Sequence, residues 1–292
     1  MSETIAVITP AYKAEDTIIA TVRSVLAQTY PHWQLVIVSD DGTDYAAFLA
    51  GHGIVDGRIG QLSSGRIGGG ASAARNVALE QLDSAYAAIL DADDRLKPQK
   101  LERVAAALAQ YGIVSTALDV MDEGFAHLRD IAAGPDRALG PGEHKWVNLS
   151  MDSMIAWDRA KADGRYDLTM SNMTDLEFLL QLYRTVPASF HLGTPLHDYV
   201  KRAGSMSNGA KTTAGMIASK TTLLERLERG HYRLAPGGVE GMAGFLRVSL
   251  QAERDFFAAL RQNSRALFED HLEPRLALEN RAQRKIIIQI ND

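Results

Sequence analysis

The feature that most constrains the fold of this chain is an alternation of short apolar runs with amphipathic segments through its first third. The runs Thr4–Thr9 and Trp33–Val38 predict buried strands, and residues 18–26, with apolar side chains at helical spacing, predict a helix between them. Strands that alternate with helices in this way are typical of a parallel sheet covered by helices. The sequence therefore predicts an α/β fold.

The same patterns divide the rest of the chain. We predict further helices at 45–52, 71–82, 99–110, 151–162 and 175–184, and further strands at 59–62, 86–90, 113–118, 189–192 and 196–200. Residues 121–148 are richer in Gly and Pro and predict connecting loops. From about Lys211 the pattern is helical, with Gly237 and Gly238 separating two arms of a hairpin. This organisation predicts an α/β domain over 1–210 and a helical C-terminal extension over 211–292.

Composition excludes several classes of function. Apolar residues make up 46% and charged residues 23% of the 292, as in ordinary globular proteins. A net charge of -5 offers no basic surface for nucleic acid, and the absence of cysteine excludes disulfides and thiolate metal sites. No apolar stretch approaches the ~20 residues that span a bilayer, and the first residues lack an export signal. We therefore expect a cytoplasmic protein, with the inner face of the membrane as an alternative location.

Acidic side chains follow two of the predicted strands. Asp40 and Asp41 come after the strand at 33–38, and Asp91, Asp93 and Asp94 come after the strand at 86–90. The carboxyl ends of parallel strands share one edge of a sheet, where two carboxylates about 5 Å apart repel by roughly 3 kcal/mol at an effective dielectric constant of about 20. A cation or several hydrogen-bond donors must offset that repulsion.

The chemistry of these acids favours a hard cation. Oxygen ligands without cysteine suit Mg²⁺ or Mn²⁺, which use one or two carboxylates and often bridge substrate phosphates. The sequence therefore predicts such a cofactor and a nucleoside diphosphate as part of the substrate. The alternative is a solvated turn that leads into the helix after Pro98.

Five segments together resemble the family 2 glycosyltransferases of the GT-A fold. They read, in order, ITPAYKAEDTIIATVRSVLAQTY, VIVSDDGTD, ARNVALEQ, ILDADD and TDLEFLLQL, and the similarity runs over about the first 210 residues. The resemblance implies a Rossmann-like, mostly parallel sheet flanked by helices. It also implies an inverting transfer of one sugar from a nucleotide sugar, in particular a UDP-sugar, with Mn²⁺ or Mg²⁺ as cofactor.

The resemblance also implies roles for individual residues. Tyr12 would lie against the nucleotide base, and Asp41, or in second place Asp40, would accept the hydrogen of the uracil imide. Asp91 and Asp93 would form the family's DxD motif and hold the metal, with Asp94 as an alternate ligand. The donor site implied in this way comprises Thr9, Pro10, Ala11, Tyr12, Asp40, Asp41, Arg75, Asn76, Asp91, Ala92, Asp93 and Arg202.

Asp175 falls where the family places its general base, although Thr174 replaces the glutamate that usually precedes it. A structural interpretation competes with this one, because Thr174 and Glu177 have the spacing of a capping box that would begin a helix. Both interpretations can hold for the same segment. His197 could approach the metal, although a hydrogen-bonded structural role is favoured for it.

Other interpretations remain open. The glycines of GRIGGGASAARN suggest a dinucleotide site, but that motif belongs in the first strand–helix turn, so close packing or positive φ explains them better. A nucleotidyltransferase and a non-catalytic module that binds nucleotide sugars or glycans are the two rival functions. We expect a saccharide or lipid-linked acceptor in surface glycan synthesis. The C-terminal helices would contact their own domain, a second copy in a homo-oligomer, or the membrane surface.

Overall fold

The computed structural model describes residues 3–147, 155–201, 210–260, 268, 271–272 and 274–279. Ten strands form one sheet: β1 (Ile5–Ala11), β2 (Trp33–Ser39), β3 (Ile59–Ser63), β4 (Tyr86–Ile89), β5 (Arg95–Leu96), β6 (Ile113–Met121), β7 (His127–Ile131), β8 (Arg137–Leu139), β9 (Ile155–Asp158) and β10 (Ser189–Val200). The helices are α1 (Ile18–Leu26), α2 (Tyr45–Gly51), α3 (Ala71–Gln81), α4 (Lys100–Leu108), α5 (His144–Val147), α6 (Thr174–Leu182), α7 (Ala210–Glu228) and α8 (Gly238–Ala259).

The sheet has a parallel half and a mixed half. Its central order is β3-β2-β1-β4-β9-β6-β10-β5, and β3, β2, β1 and β4 run parallel to one another. β9 is antiparallel to both β4 and β6, so β6 again runs in the direction of β4, and β10 is parallel to β6. The carboxyl ends of β1, β2, β4, β6 and β10 therefore lie at one edge of the sheet. The predicted α/β sheet flanked by helices is confirmed.

Three predicted elements in the second half differ from the structure. The helix predicted at 151–162 is wrong where the chain is described, because residues 155–158 form β9, buried on both faces between β4 and β6. Periodicity cannot distinguish so short an apolar run from a buried helix. The loops predicted for 121–148 include β7, β8 and α5, and the two strands predicted between 189 and 200 are one strand with an irregular register around Pro195.

Helices cover both faces of the sheet. On one face α1, α2 and α4 bury side chains such as Val22, Leu49 and Leu101. On the other face α3 and α6 share a core with α7 and α8, to which Phe178 and Phe245 both contribute. The described part of the C-terminal extension is thus packed on its own domain.

The C-terminal helices also neutralise much of their own charge. Arg247 pairs with Glu228 at 2.6 Å, Arg275 pairs with Asp255, and the buried Lys220 of α7 pairs with Glu253 of α8. In the part of the chain that is described, no helix is both long enough and apolar enough to span a bilayer.

A buried polar group joins α5 to α6 and β10. His144 Nδ1 lies 2.6 Å from Tyr183 Oη and 3.1 Å from Ser189 Oγ, and the Tyr183 hydroxyl donates to Ser189 Oγ at 2.7 Å. The ring is fully buried, and its Nε2 has no hydrogen-bond partner in the described structure. Burial, followed by the charges of Lys145 and His191, lowers the pKa of His144 to about 3, so the native state holds this ring neutral.

This network makes stability depend on pH. Below the usual histidine pKa of 6.5, His144 binds a proton in the unfolded chain but stays neutral in the native state. The stabilisation is complete above that pH and is lost as the pH falls towards 3, at about 1.4 kcal/mol per pH unit. Between pH 7 and pH 5 the free energy of unfolding should therefore fall by about 2 kcal/mol less in His144→Asn than in the unchanged protein.

Urea denaturation at the two pH values measures this difference. His32→Asn, which alters an exposed histidine, should show the same pH dependence as the unchanged protein. An identical pH dependence in His144→Asn and the unchanged protein would show that the buried ring does not exclude the proton.

Candidate active site

The structure brings the ends of three parallel strands together at one edge. β1 ends in Thr9, Pro10 and Ala11, which lie in register with Ile37, Val38 and Ser39 of β2. Ile89, the last residue of β4, is in register with Ile8 of β1. The turns that follow these strands carry Tyr12, the pair Asp40 and Asp41, and the acid turn, by which we mean residues 91–94. The predicted donor residues of these turns thus share one edge.

Asp41 shapes the turn that presents Tyr12. Its carboxylate accepts hydrogen bonds from the backbone of Lys13 and Thr43 and from the hydroxyls of Ser39 and Tyr45. Burial raises the pKa of Asp41, but these hydrogen bonds outweigh it and lower the pKa to about 2.

The hydrogen bonds of Asp41 bear on the two contacts predicted with the nucleotide base, namely stacking on Tyr12 and acceptance of the imide hydrogen by Asp41. Lys13 is held at a φ of 51°, in the left-handed region, and the Tyr12 ring beside it is 49% exposed. Lys13 Nζ lies 5.2 Å from the centre of the ring, so a nucleotide base that stacked there would meet a ring that already contacts this ammonium group. A carboxylate has about four acceptor sites, and Asp41 already uses four, so binding a uracil imide there would require it to release one of these donors.

Asp40 organises the glycine-rich loop. It accepts hydrogen bonds from the backbone N–H groups of Gly69 and Gly70, at 3.0 and 2.8 Å, and from Ser64 Oγ at 2.6 Å. Gly70 has a φ of 92°, and a Cβ on Gly69 would lie 3.1 Å from Asp40 Oδ1. Close packing and positive φ therefore explain these glycines, as the sequence favoured.

Asp91 is paired within the protein. Arg75 of α3 is almost completely buried, and its Nη2 lies 2.7 Å from Asp91 Oδ1. The guanidinium carbon of Arg75 also lies 5.3 Å from the centre of the Tyr166 ring. The neighbouring residue, Asn76, imitates a strand partner for Tyr166, because its side-chain amide accepts from Tyr166 N at 2.8 Å and donates to Tyr166 O at 2.9 Å.

Tyr166 in turn packs on the helix that carries Asp175. Its ring stacks on Phe178 of α6, with ring centres 4.4 Å apart and an angle of 4° between the planes. Val186, just after α6, packs against Gly112 before β6, so α6 ends at the amino edge of the sheet and begins toward the carboxyl edge. Asp175, in the first turn of α6, therefore lies toward the edge that carries Asp91.

The predicted capping box is wrong. Thr174 is the first residue inside α6, and the N-cap is Met173, in the left-handed conformation with a φ of 58°. Glu177 does not reach back to the N-cap: its carboxylate accepts from Gln181 Nε2 at 2.7 Å and from the Tyr232 hydroxyl at 3.1 Å. Glu177 is therefore bound by its own helix and by Tyr232, in the connection between α7 and α8, instead of forming a local cap. Asp175 remains a partly exposed carboxylate in the first turn.

Asp94 is buried, unlike Asp91 and Asp93, and its contacts give no support to its prediction as an alternate metal ligand. It is completely buried, and its two oxygens accept hydrogen bonds from His197 Nε2 at 2.8 Å and from the backbone N–H of Val200 at 3.0 Å. His197 Nδ1 lies 3.3 Å from Lys100 Nζ on α4. His197 is thus a hydrogen-bonded structural histidine, the role favoured for it from the sequence.

Burial controls the charges of these three groups. It raises the pKa of Asp94, with the charge of Asp91 adding to the effect, and it lowers the pKa of His197. Burial also lowers the pKa of Lys100 to about 7, against the opposing charge of Asp94.

Two carboxylates of the acid turn fit a divalent cation. Asp91 and Asp93 are partly exposed oxygen donors at the shared edge, and Mg²⁺ or Mn²⁺ commonly binds through one or two carboxylates together with substrate phosphates. The repulsion argument for a metal is weaker than the sequence suggested, because Arg75 already compensates Asp91 and Asp94 is turned inward.

Another group of potential metal ligands lies on β6 and β7. Among the described residues, Asp119, His127 and Asp130 bring three ligand atoms within 4.8 Å of one another. The ammonium group of Lys97 pairs with Asp119 of this cluster and also lies 3.6 Å from Asp198.

Sequence reasoning missed the residues that support the site. Lys100 and Tyr166 gave no motif signal, because each acts through packing between segments that are distant in sequence. Arg202, predicted to bind the donor, lies outside the described residues.

Comparisons with known proteins bear on the class of protein. Residues 6–136 match the family model described as Glycosyl transferase family 2, which confirms the resemblance over this segment. The fold is that of S. aureus TarS, with a TM-score of 0.66, 14% identity and coverage of 91% of this chain and 46% of that one. The structure of TarS 1-349 in complex with UDP-GlcNAc also gives a TM-score of 0.66, with 17% identity over 94% of this chain and 78% of that one.

Two relatives are more similar in sequence over a shorter stretch. TuaG of Bacillus subtilis (strain 168), named as a candidate teichuronic acid biosynthesis glycosyltransferase, is 44% identical over 100 residues, which are 34% of this chain and 39% of TuaG. WfgD of Escherichia coli is named a UDP-Glc:α-D-GlcNAc-diphosphoundecaprenol β-1,3-glucosyltransferase, and it is 40% identical over 98 residues, 34% of this chain and 38% of WfgD. The chain thus matches less than half of the length of either protein.

The clamp between Asn76 and Tyr166 predicts a measurable loss of stability. Asn76→Ala removes the side-chain amide that pairs with the backbone N–H and C=O groups of Tyr166. These two groups would lose their partners, so the free energy of unfolding should fall by about 1–3 kcal/mol. Chemical denaturation measures the change. Gln81→Ala, at an exposed position of the same helix, should stay within about 0.5 kcal/mol of the unchanged protein. Equal effects of the two substitutions would contradict a specific clamp.

Proposed function

We propose that this chain is an inverting, metal-dependent glycosyltransferase that moves one sugar from a UDP-sugar to a hydroxyl group of a saccharide or lipid-linked acceptor in surface glycan synthesis. The observation that carries the proposal is the packed connection from Asp91 through Arg75 and Tyr166 to Phe178 on α6. It joins the acid turn to the helix that carries the candidate base, Asp175, in its first turn. Such a connection suits a reaction in which a base and a leaving group act on opposite sides of one carbon.

The comparisons support the donor and acceptor classes. TarS 1-349 has been crystallised with UDP-GlcNAc, and WfgD is named for transfer of glucose from UDP-Glc to a diphosphoundecaprenol-linked sugar. TuaG is named for teichuronic acid biosynthesis, which is surface glycan chemistry of the same kind. We extend these classes to this chain, and we place its action at the cytoplasmic side of the membrane.

In this mechanism Tyr12 stacks on the base while the turns at the shared edge hold the diphosphate. Asp91 and Asp93 would hold Mg²⁺ or Mn²⁺, which would offset the negative charge on the departing nucleoside diphosphate. Asp175 accepts the proton of the acceptor hydroxyl as its oxygen attacks the anomeric carbon from the face opposite the leaving group. The bond to the diphosphate breaks as the new glycosidic bond forms, and the configuration inverts.

Replacing the base tests the proton transfer. Asp175→Asn should reduce turnover by about 10²–10⁴-fold, because a positioned base commonly contributes that much, and it should leave the KM for the donor within about threefold. Steady-state assays of released UDP give both constants. Asp163→Asn, which alters an exposed carboxylate between β9 and α6, should keep full turnover. Unchanged turnover in Asp175→Asn would remove this residue from the mechanism, and released pyrophosphate would favour a nucleotidyltransferase.

Removing a carboxylate from the acid turn tests the metal. UDP with Mn²⁺ should stabilise the unchanged protein by about 2.7 kcal/mol at a ligand concentration of about 100 Kd, and chelation should reduce that gain. Asp93→Asn should show the same small stabilisation with and without Mn²⁺, because it lacks a ligand. Thermal denaturation with UDP, with GDP as the base control, measures the effect. An equal gain in EDTA and in Mn²⁺ would contradict metal dependence.

A further inference from the structure

The acid turn contains one more carboxylate than a metal site would use. Asp94 is fully buried, yet it lies in the same turn as Asp91 and Asp93, which are partly exposed. An ionisable side chain is seldom buried completely unless other groups bind it. Asp94 is bound on both oxygens, by His197 and by the backbone of Val200. These contacts give Asp94 a structural role, which is to fix the acid turn to β10.

The hydrogen bonds fix the orientation of His197. An ammonium group has only donors, so Lys100 Nζ, 3.3 Å from His197 Nδ1, donates to that atom. A neutral imidazole that accepts at Nδ1 carries its proton on Nε2, which lies 2.8 Å from Asp94 and donates to it. The three buried side chains therefore form a directed chain, in which Lys100 donates to His197 and His197 donates to Asp94.

These hydrogen-bonded side chains hold the acid turn from its buried side. The backbone N–H of Asp94 donates to Asp91 O at 3.2 Å, which closes the turn, and Thr21 Oγ1 of α1 donates to Ala92 O at 2.9 Å. With Ala92 and Asp94 buried, the partly exposed side chains of the turn are those of Asp91 and Asp93. Motion of the Asp94 side chain would loosen the whole turn.

We propose that His197 and Lys100 are positioning residues, which fix Asp94 and thereby hold Asp91 and Asp93 in the geometry that binds the cation and diphosphate of the donor. The inference rests on the proposed function for its ligand, but its geometric part concerns the turn alone. Partners of this kind behind metal ligands commonly change metal affinity by about 10–100-fold.

Two substitutions of His197 by amide side chains test whether the hydrogen bond to Asp94, rather than a polar side chain as such, positions the turn. In His197→Gln the side-chain nitrogen occupies the place of Nε2 and still donates to Asp94, whereas in His197→Asn the shorter side chain does not reach it. Hydrogen exchange measured by mass spectrometry should show the amides of 92–96 exchanging about tenfold faster in His197→Asn and within about threefold of the unchanged rate in His197→Gln. The control is His191→Asn, in a buried histidine of the same strand that contacts Ser115 and Ala132 instead.

Binding provides the second readout. Calorimetry should show that the Kd for UDP in Mn²⁺ rises about tenfold or more in His197→Asn, while the Kd in EDTA changes by less than about threefold. His197→Gln and His191→Asn should keep both constants. If His197→Asn does not fold, Lys100→Met, which removes the ammonium group and keeps the length, should give the same two changes at about three- to tenfold.

Each result has a defined meaning. Unchanged exchange at 92–96 in a folded His197→Asn or Lys100→Met overturns the inference, and so does an equal loss of affinity in His191→Asn. If the unchanged protein binds no nucleotide, the proposed function fails, and the exchange measurement alone still decides whether His197 holds the turn.

Discussion

The arrangement of the candidate site depends on the hydrogen bonds and ion pairs that compensate its aspartates. Parallel strands bring Asp40, Asp41 and Asp91 to one edge of the sheet, with Asp94 buried in the same turn as Asp91, and uncompensated charges there would repel one another. A different part of the chain compensates each one: the glycine-rich loop binds Asp40, the turn after β1 binds Asp41, α3 binds Asp91, and β10 binds Asp94. The acids thus tie the surrounding segments to one edge as much as they prepare it for a ligand.

Much of the first half of the fold, from β1 to α4, could be predicted from the sequence. Its strands and helices follow one another locally, so apolar periodicity located them, and acids at strand ends indicated the edge where Asp41 and Asp91 lie. The second half was less predictable, because β9 is a four-residue strand whose pairing with β4 and β6 depends on residues far away in sequence. The same reason explains Thr174, whose apparent capping box gives way to contacts between Glu177 and Tyr232.

The supporting contacts of the site were the least visible in sequence. The sequence Asp-Ala-Asp draws attention to Asp91, but nothing adjacent indicates that Arg75 pairs with it or that Tyr166 contacts both Arg75 and Phe178. Asp94 gave a misleading signal, because an acid in a metal-binding motif and an acid that anchors a turn have the same residue type. Only its burial and its contact with His197 distinguish the two roles.

The packing of the C-terminal helices bears on how such proteins can diversify. The side chains of α7 and α8 fill the same core as α6, and Gly215 of α7 lies so close to Asn172 that a Cβ there would be 2.4 Å from its side-chain oxygen. Replacing α6 by the corresponding helix of a relative would therefore disturb this interior unless α7 and α8 were replaced with it. The unit of recombination would be α6 together with α7 and α8, rather than α6 alone.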